Sequence, residues 1–355
     1  MLYIYSMLIV DGSQKSGSGT IVRYAVAIGA LLNRKVKVIN VRAQRKKPGL
    51  RPQHLAAIRA VAELTGGSIE GGEVGADEFI FTPENKMSGG TFEWDIGTAG
   101  STTMLVMTVL PLALITRDKI VGKITGGLFQ DFAPSFFHMQ QVLGPVLWKM
   151  GVTMRVNMIR PGYVPEGGGI LEIEIDPVKK SLQPLTLTDQ GRIETIDGFA
   201  FSSHLKDREV SGRMADVCRK VLSKKGFNVY IGEEYENTAL QPGAALAVFA
   251  RTSTHCILGA DRAGAPGRRS EAIGRFVARS FIEDIESGAT VDRYLADQII
   301  LYAALADGIT EFRIPFMTDH VETNLWLVEE YLGSKVEIED NLISITGIGL
   351  NSHSS

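Results

Sequence analysis

The stretch SGSGTIVRYAVAIGALLNRKVKVINV, residues 16–41, decides the fold. A glycine-rich turn opens an apolar helix over 16–32, and the alternating KVKVINV at 35–41 follows as a strand. A second helix is expected over 52–64, then a hairpin over 68–83. The same order recurs: a helix over 98–114 behind a Gly-Thr-Ala-Gly turn, a strand over 119–125, a helix over 134–150, and two strands within 152–175 around PGYVPEGGG. A third copy has a helix over 291–305, a strand over 309–315, a helix over 321–332 and a hairpin over 335–348. Helix starts at 17, 98 and 291 precede the strands at 35, 119 and 309 by 18, 21 and 18 residues. The repeated unit is β-α-β-α-β-β, two helices covering one face of a four-stranded sheet.

About 100 residues separate the second copy from the third. They read as an inserted α/β domain: a strand over 192–201, a helix over 210–224, a strand pair over 244–251 and 255–259, and an amphipathic helix over 269–286. The expected organisation is an α/β (α+β) protein with a large three-repeat domain, 1–184 and 287–355, and a smaller domain, 185–286, inserted in the third repeat. The composition agrees: 355 residues, 45% hydrophobic and 22% charged with a net charge of -3, exclude disordered and fibrous classes. Two cysteines, Cys218 and Cys256, make neither a disulfide scaffold nor a zinc cluster and read as packing residues. The longest apolar run, 104–115, is interrupted by Pro111 and is shorter than the ~20 residues a membrane span needs. MLYIYSMLIV at the start lacks a cationic region and an A-x-A site and reads as a strand, and the closing GLNSHSS reads as a frayed tail. With a pI near 6.1, a nucleic-acid partner must be held by a local basic patch.

Five segments can carry chemistry. The turn at 11–19 precedes a helix bearing Arg23, where glycines and a helix N-terminus suit an anion; a plain β-to-α turn explains it equally. Residues 42–51 hold five basic side chains in ten, with Arg42 and Arg45 among them and Gln53 and His54 just beyond; a guanidinium fork suits phosphate, and a solvated loop is the alternative. In Thr318-Asp-His320-Val-Glu-Thr-Asn324, Asp319 is expected to N-cap a helix with Glu322 three residues on, which leaves His320 accessible as a nucleophile. A structural histidine is the alternative, and His54, also at a helix start, competes with it. Tyr294, Asp297 and Gln298 could hold a base and a ribose, or form a half-buried helix face. The glycines at 167–169 allow close backbone approach or a bulged hairpin turn.

Together these segments resemble the RNA 3′-terminal phosphate cyclase family. The matching stretches are DGS…G.G..VR at 11–23, VRA.R..PGLRPQHL at 41–55, E.GADEFIFTP at 73–83 and IGTAGS…TVLP at 96–111. They continue with GYVPEGGG at 162–169, GATVDRYLADQ at 288–298, T.H..TN at 318–324 and a closing TGIGL. The resemblance spans nearly the whole chain and is weakest in the insert. It implies the three-repeat fold with an inserted domain, and a three-step reaction. A histidine attacks the α-phosphate of ATP, AMP passes to the 3′-phosphate of an RNA, and the 2′-hydroxyl displaces AMP to leave a 2′,3′-cyclic phosphate.

By resemblance, His320 is the adenylylated histidine, and Tyr294, Leu295, Ala296, Asp297 and Gln298 form the adenosine-binding segment with Pro134 on the other side of the base. Arg23, Arg42, Arg45, Gln53 and His54 fall at substrate-phosphate positions. The resemblance implies ATP and a divalent metal, Mg2+, an RNA partner with a 3′-phosphate, no membrane, and a cytoplasmic or, in a eukaryote, nuclear setting. It leaves a homo-oligomer open. The family's GEGGGQ turn is here Lys15-Ser16-Gly17-Ser18-Gly19-Thr20, a usual glutamine is Met107, and GGTDNP is Gly126-Gly-Leu-Phe-Gln-Asp131. These departures keep alternatives open: a catalytically silent relative that binds RNA or a ribosome-assembly partner, or a cyclase acting on another phosphorylated end. A carboxyvinyl transferase, which uses a similar repeat, ranks last because six repeats and its substrate motifs are absent.

Overall fold

The structure is a computed structural model that describes residues 7–84, 86–87 and 89–350. The first unit runs β1 (Leu8–Asp11), α1 (Gly19–Leu31), β2 (Val36–Ile39), α2 (Pro52–Thr65), β3 (Ser68–Glu70) and β4 (Phe79–Thr82). Its sheet has the order β1-β2-β4-β3, with β1 and β2 parallel and the other pairs antiparallel. The second unit runs β5 (Gly90–Asp95), α3 (Thr102–Val109), β6 (Ile120–Gly126), α4 (Phe136–His138), α5 (Gly144–Met150), β7 (Met154–Arg160) and β8 (Gly169–Ile175). Its order, β5-β6-β8-β7, and its strand directions repeat those of the first.

The third sheet begins with β9 (Thr186–Leu187). The chain then leaves it to form β10 (Ile193–Ser203), α6 (Val210–Ser223), β11 (Val229–Glu236), β12 (Gly243–Thr252), β13 (Ile257–Ala263) and α7 (Ser270–Glu286). These strands make a sheet of a different order, β11-β10-β12-β13. The chain returns through α8 (Leu295–Gln298), α9 (Ile300–Leu305), β14 (Ile309–Arg313), α10 (Asp319–Leu332), β15 (Lys335–Glu339) and β16 (Leu342–Thr346) to complete the sheet β9-β14-β16-β15. The fold is mixed α/β. Thr186–Leu187, expected inside the insert, instead pairs in parallel with Glu311 and Phe312 of β14, so the fourth sheet starts at Ile193.

Helix α1 is apolar on almost every face because it sits at the centre, packed against α2, α3 and α10. Its N-terminus therefore lies beside that of α10, and Ser16 N–H donates to Thr323 Oγ1 at 3.1 Å. Three expected helices differ from the sequence reading. The 98–114 helix becomes α3 and a 3-10 turn at Leu110–Leu114, where Pro111 cannot continue the α ladder. The 134–150 helix contains a π turn at Met139–Leu143. The 291–305 helix begins only at Leu295, because Asp292 takes the amides of Tyr294 and Leu295, both at 2.9 Å, as a cap. The strand read in the first ten residues is described only as Leu8–Asp11, and the tail read as frayed lies, from 351 on, outside the described residues. Among the described residues no helix is long and apolar enough to cross a membrane.

Candidate active site

A cavity of about 230 Å³ opens between the N-termini of α1 and α10, the α8 segment and the loop before α4. Pro134 and Phe132 line it from that loop, Tyr294, Asp297 and Gln298 from the α8 segment, and Tyr24, Met104, Met107 and Tyr302 from the core side. Thr20, Arg23, Arg293, Phe316, Thr318, His320 and Asn324 also line it. Three buried polar atoms on this wall, Gln298 Oε1, Tyr302 Oη and Asn324 Oδ1, have no hydrogen-bond partner among the described residues. Buried polar groups are normally paired, so three bare ones at one wall mark this cavity as the candidate site. Leu295 and Ala296, expected in the nucleotide segment, are fully buried and turn into the core instead.

His320 stands on the first turn of α10. Thr318, not the expected Asp319, is the N-cap: its hydroxyl accepts from Val321 N–H at 3.1 Å. Glu322 does not close a capping box but pairs with Lys15 at 2.8 Å. His320 Nδ1 lies 3.4 Å from Thr20 Oγ1, which also accepts from Arg23 Nη2 at 3.0 Å. His320 is exposed and lines the cavity. The surrounding wall, and the positive charges of Arg23 and Arg45, hold the imidazole pKa below its ordinary value. This favours the uncharged ring at neutral pH.

Outside the cavity the arginines cluster. Arg42, Arg45 and Arg51 face one another closely enough that burial, then Arg51 and Arg45, lower the pKa of Arg42. Among the described residues none of Arg23, Arg42, Arg45 and Arg51 forms an ion pair with a carboxylate. Arg42 is fixed by donating to Lys47 O at 2.7 Å and Gly49 O at 2.9 Å. Unpaired like charges at this density suit a multiply charged anion. Arg23 is buried enough to bring its pKa down to about 10, against the attraction of Asp297. Asp297, driven the other way by burial and opposed by Arg23, titrates at about 7.

Two expected phosphate residues are placed differently. Gln53 Oε1 accepts from Ser101 N–H at 3.2 Å and so ties α2 to the Gly-Thr-Ala-Gly turn. His54 is buried, its Nδ1 accepts from Arg51 N–H at 3.3 Å, and its Nε2 presses on Gly19, where an added Cβ would come within 2.0 Å of it. Neither residue lines the cavity. Conversely, the sequence reading passed over Tyr24, Tyr302, Phe132 and Phe316 on the wall. The signal available was position: Phe132 and Phe316 lie two residues from Pro134 and Thr318.

A family model described as RNA 3′-terminal phosphate cyclase matches residues 14–338. The chain belongs to the RNA 3′-terminal phosphate cyclase family. A relative of that name from Methanothermobacter thermautotrophicus is 37% identical over 94% of this chain and 96% of its own. Those from Korarchaeum cryptofilum and Nitrosospira multiformis are 35% and 34% identical, covering 96% and 95% of this chain and 98% and 95% of theirs. The enolpyruvyl transferase NikO from Streptomyces tendae aligns at 12% identity and a TM-score of 0.28, over 97% of this chain and 51% of that one, too distant to bear on the chemistry.

The divalent metal expected of this cyclase-family chain finds no ready ligand set. Among the described residues no group of three His, Cys, Asp or Glu side chains could hold an ion. Beside His320 the wall offers a thioether from Met107, a guanidinium from Arg23 and the hydroxyl of Thr20, already engaged. Ser16 Oγ donates to Ser18 Oγ at 2.9 Å and does not face an ion site. Hard divalent cations take oxygen ligands, and the wall's carboxylate and amide oxygens, from Asp297, Gln298 and Asn324, do not gather with others into a protein-only metal cage among the described residues.

Proposed function

We propose that this protein uses ATP to convert an RNA 3′-terminal phosphate to a 2′,3′-cyclic phosphate, with His320 as the covalent nucleophile. The observation that carries the proposal is the junction at His320: an uncharged, accessible imidazole between a base-sized cavity with bare polar atoms and an arginine cluster that forms no carboxylate ion pair among the described residues. Tyr294 and Pro134 suit the two faces of adenine, and Asp297 and Gln298 suit its ribose and edge. The imidazole nitrogen forms a P–N bond to the α-phosphorus as the bond to pyrophosphate breaks. The 3′-phosphate of the RNA then attacks that phosphorus, breaking the P–N bond and returning the ring. A phosphate monoester is a poor electrophile, and as a mixed anhydride it gains AMP as a leaving group. The neighbouring 2′-hydroxyl, already within reach, closes the ring, expels AMP and gives up its proton. The arginines offset the anionic charge in each step. We place the reaction in the cytoplasm or, in a eukaryote, the nucleus, both of which supply ATP and RNA.

Incubation with α-labelled ATP, comparing wild type with His320→Ala, tests the first step. The expected result is acid-labile, alkali-stable label on wild type alone, followed by cyclic ends on RNA 3′-phosphate but not on DNA or on a 5′-phosphate. A folded wild type that takes no label overturns the covalent mechanism and favours the binding-only relative, with Ser16, Thr20 and Met107 as the changed positions.

A further inference from the structure

Behind the cavity, away from the reacting phosphorus, lies a buried pair that the mechanism above does not use. His138 and Asp292 are almost wholly excluded from solvent, and His138 Nε2 lies 3.1 and 3.2 Å from the two carboxylate oxygens of Asp292. Each partner is attached to one wall of the base site. His138 follows Pro134 by four residues, and its own amide is capped by Ser135 Oγ at 3.2 Å. Asp292 Oδ1 accepts the amides of Tyr294 and Leu295, which fixes where the α8 segment begins. The imidazole also meets the Tyr294 ring edge to face, with centroids 5.8 Å apart and planes at 87°.

A third element joins from β13. Gly259 N–H donates to Asp292 Oδ2 at 2.8 Å, and Asp261 Oδ2 accepts from Ser135 N–H at 3.0 Å. One imidazole–carboxylate contact thus ties together the Pro134 loop, the Tyr294 segment and a strand of the fourth sheet.

We propose that His138 is a positioning residue for the nucleotide: through Asp292 and the Tyr294 ring it sets the spacing between the Pro134 and Tyr294 walls, and β13 helps to hold that spacing. This rests on the cavity being an adenine-nucleotide site. A buried pair of this kind contributes little net stability compared with a packed apolar pair, but losing one partner strands the other. Burial disfavours charge on His138, yet the carboxylates facing it, Asp292, Asp261 and Asp297, outweigh that and raise its pKa, so the ring is a strong donor to Asp292. Without it, Asp292 is left with only the three amide donors, and the edge contact that orients Tyr294 is gone. The base should then bind less well while the triphosphate end is untouched.

The test compares equilibrium binding of α,β-methylene-ATP and of tripolyphosphate to wild type, His138→Ala and His138→Gln, with self-adenylylation at saturating ATP as the kinetic readout. His138→Ala is expected to weaken the nucleotide analogue ~10-fold, the scale of a stacking contact. Tripolyphosphate binding should hold, and kcat should change less than about twofold, since uniform binding was lost. The glutamine amide can donate to Asp292 and should restore most of the affinity. His138→Leu fills the space without a donor, and serves the same purpose if the alanine variant does not fold. Equal weakening of analogue and tripolyphosphate, or an alanine variant that binds the analogue as wild type does, overturns the inference alone. A folded wild type that binds tripolyphosphate but no adenine nucleotide overturns the functional reading and the inference with it.

Discussion

Thr20 carries one hydroxyl between two groups that the proposed chemistry needs, Arg23 at 3.0 Å and His320 at 3.4 Å. Thr20→Val keeps the shape and removes the oxygen, so adenylylation should slow ~5- to 10-fold, about one hydrogen bond's worth, while Thr20→Ser stays near wild type. Single-turnover labelling decides it; a valine variant at full rate would mean that the hydroxyl orients nothing. Asp297 makes a prediction about pH. Its pKa is raised from 3.8 to about 7, first by burial, so the folded protein retains a proton that the unfolded chain releases between those values. The folded state binds more protons there, hence stability falls as pH rises through that window and levels off above it. Asp297→Asn should therefore gain stability over wild type at about pH 8 and none at about pH 4, read from denaturant midpoints. His320 was legible at this scale, since an accessible histidine on a first helical turn leaves a local pattern. Thr20 and Tyr24 were not, because their partners lie across the fold: Thr20 meets His320 from 300 residues away, and Tyr24 Oη donates to Asp297 O from 273.

Helices α1 and α2 meet closely where α1 begins. Gly19 has an ordinary backbone, and what it requires is room: the His54 ring on α2 occupies the space of a side chain there. Burial and three nearby arginines keep that ring uncharged. Gly19→Ala should cost about 1–3 kcal/mol by overpacking, and His54→Ala in the same chain should recover much of it, because the two sites share one space. Urea unfolding of the single and double variants checks this; additive losses would show that the ring is not the obstacle. The β-α-β-α-β-β order was legible because apolar period and turn residues are local signals. Less legible were ends fixed by distant groups. The late start of α8 depends on Asp292, whose other partners are His138 and Gly259, and β9 is two residues long, with no alternation to read. The expectation that Asp319 caps α10 failed by one position, since threonine and aspartate are both good caps and only geometry chooses between them.

At the scale of the whole molecule the charge is unevenly spread. The chain is net -3, yet Arg23, Arg42, Arg45 and Arg51 converge at one mouth with no paired carboxylate among the described residues. If the proposed RNA end is held by this patch, its salt dependence should report a small number of phosphates rather than a long footprint. The two central arginines should behave differently. Arg42 has a left-handed backbone, φ +55°, and its guanidinium ties its own loop to Lys47 O and Gly49 O, so Arg42→Ala should lower both the affinity for a 3′-phosphorylated RNA and the melting temperature. Arg45 acts on His320 by charge, and its replacement should leave the melting temperature near wild type. If Arg45 contacts one phosphate, Arg45→Ala should reduce the slope of log affinity against log salt by roughly 0.7, the single-strand value, and weaken every sequence alike. It should also raise the pKa of His320 by removing a neighbouring positive charge, which moves the acid limb of adenylylation to higher pH. A parallel salt line with an unmoved acid limb would place Arg45 outside the reach of both substrates and leave Arg23 as the arginine that acts on His320.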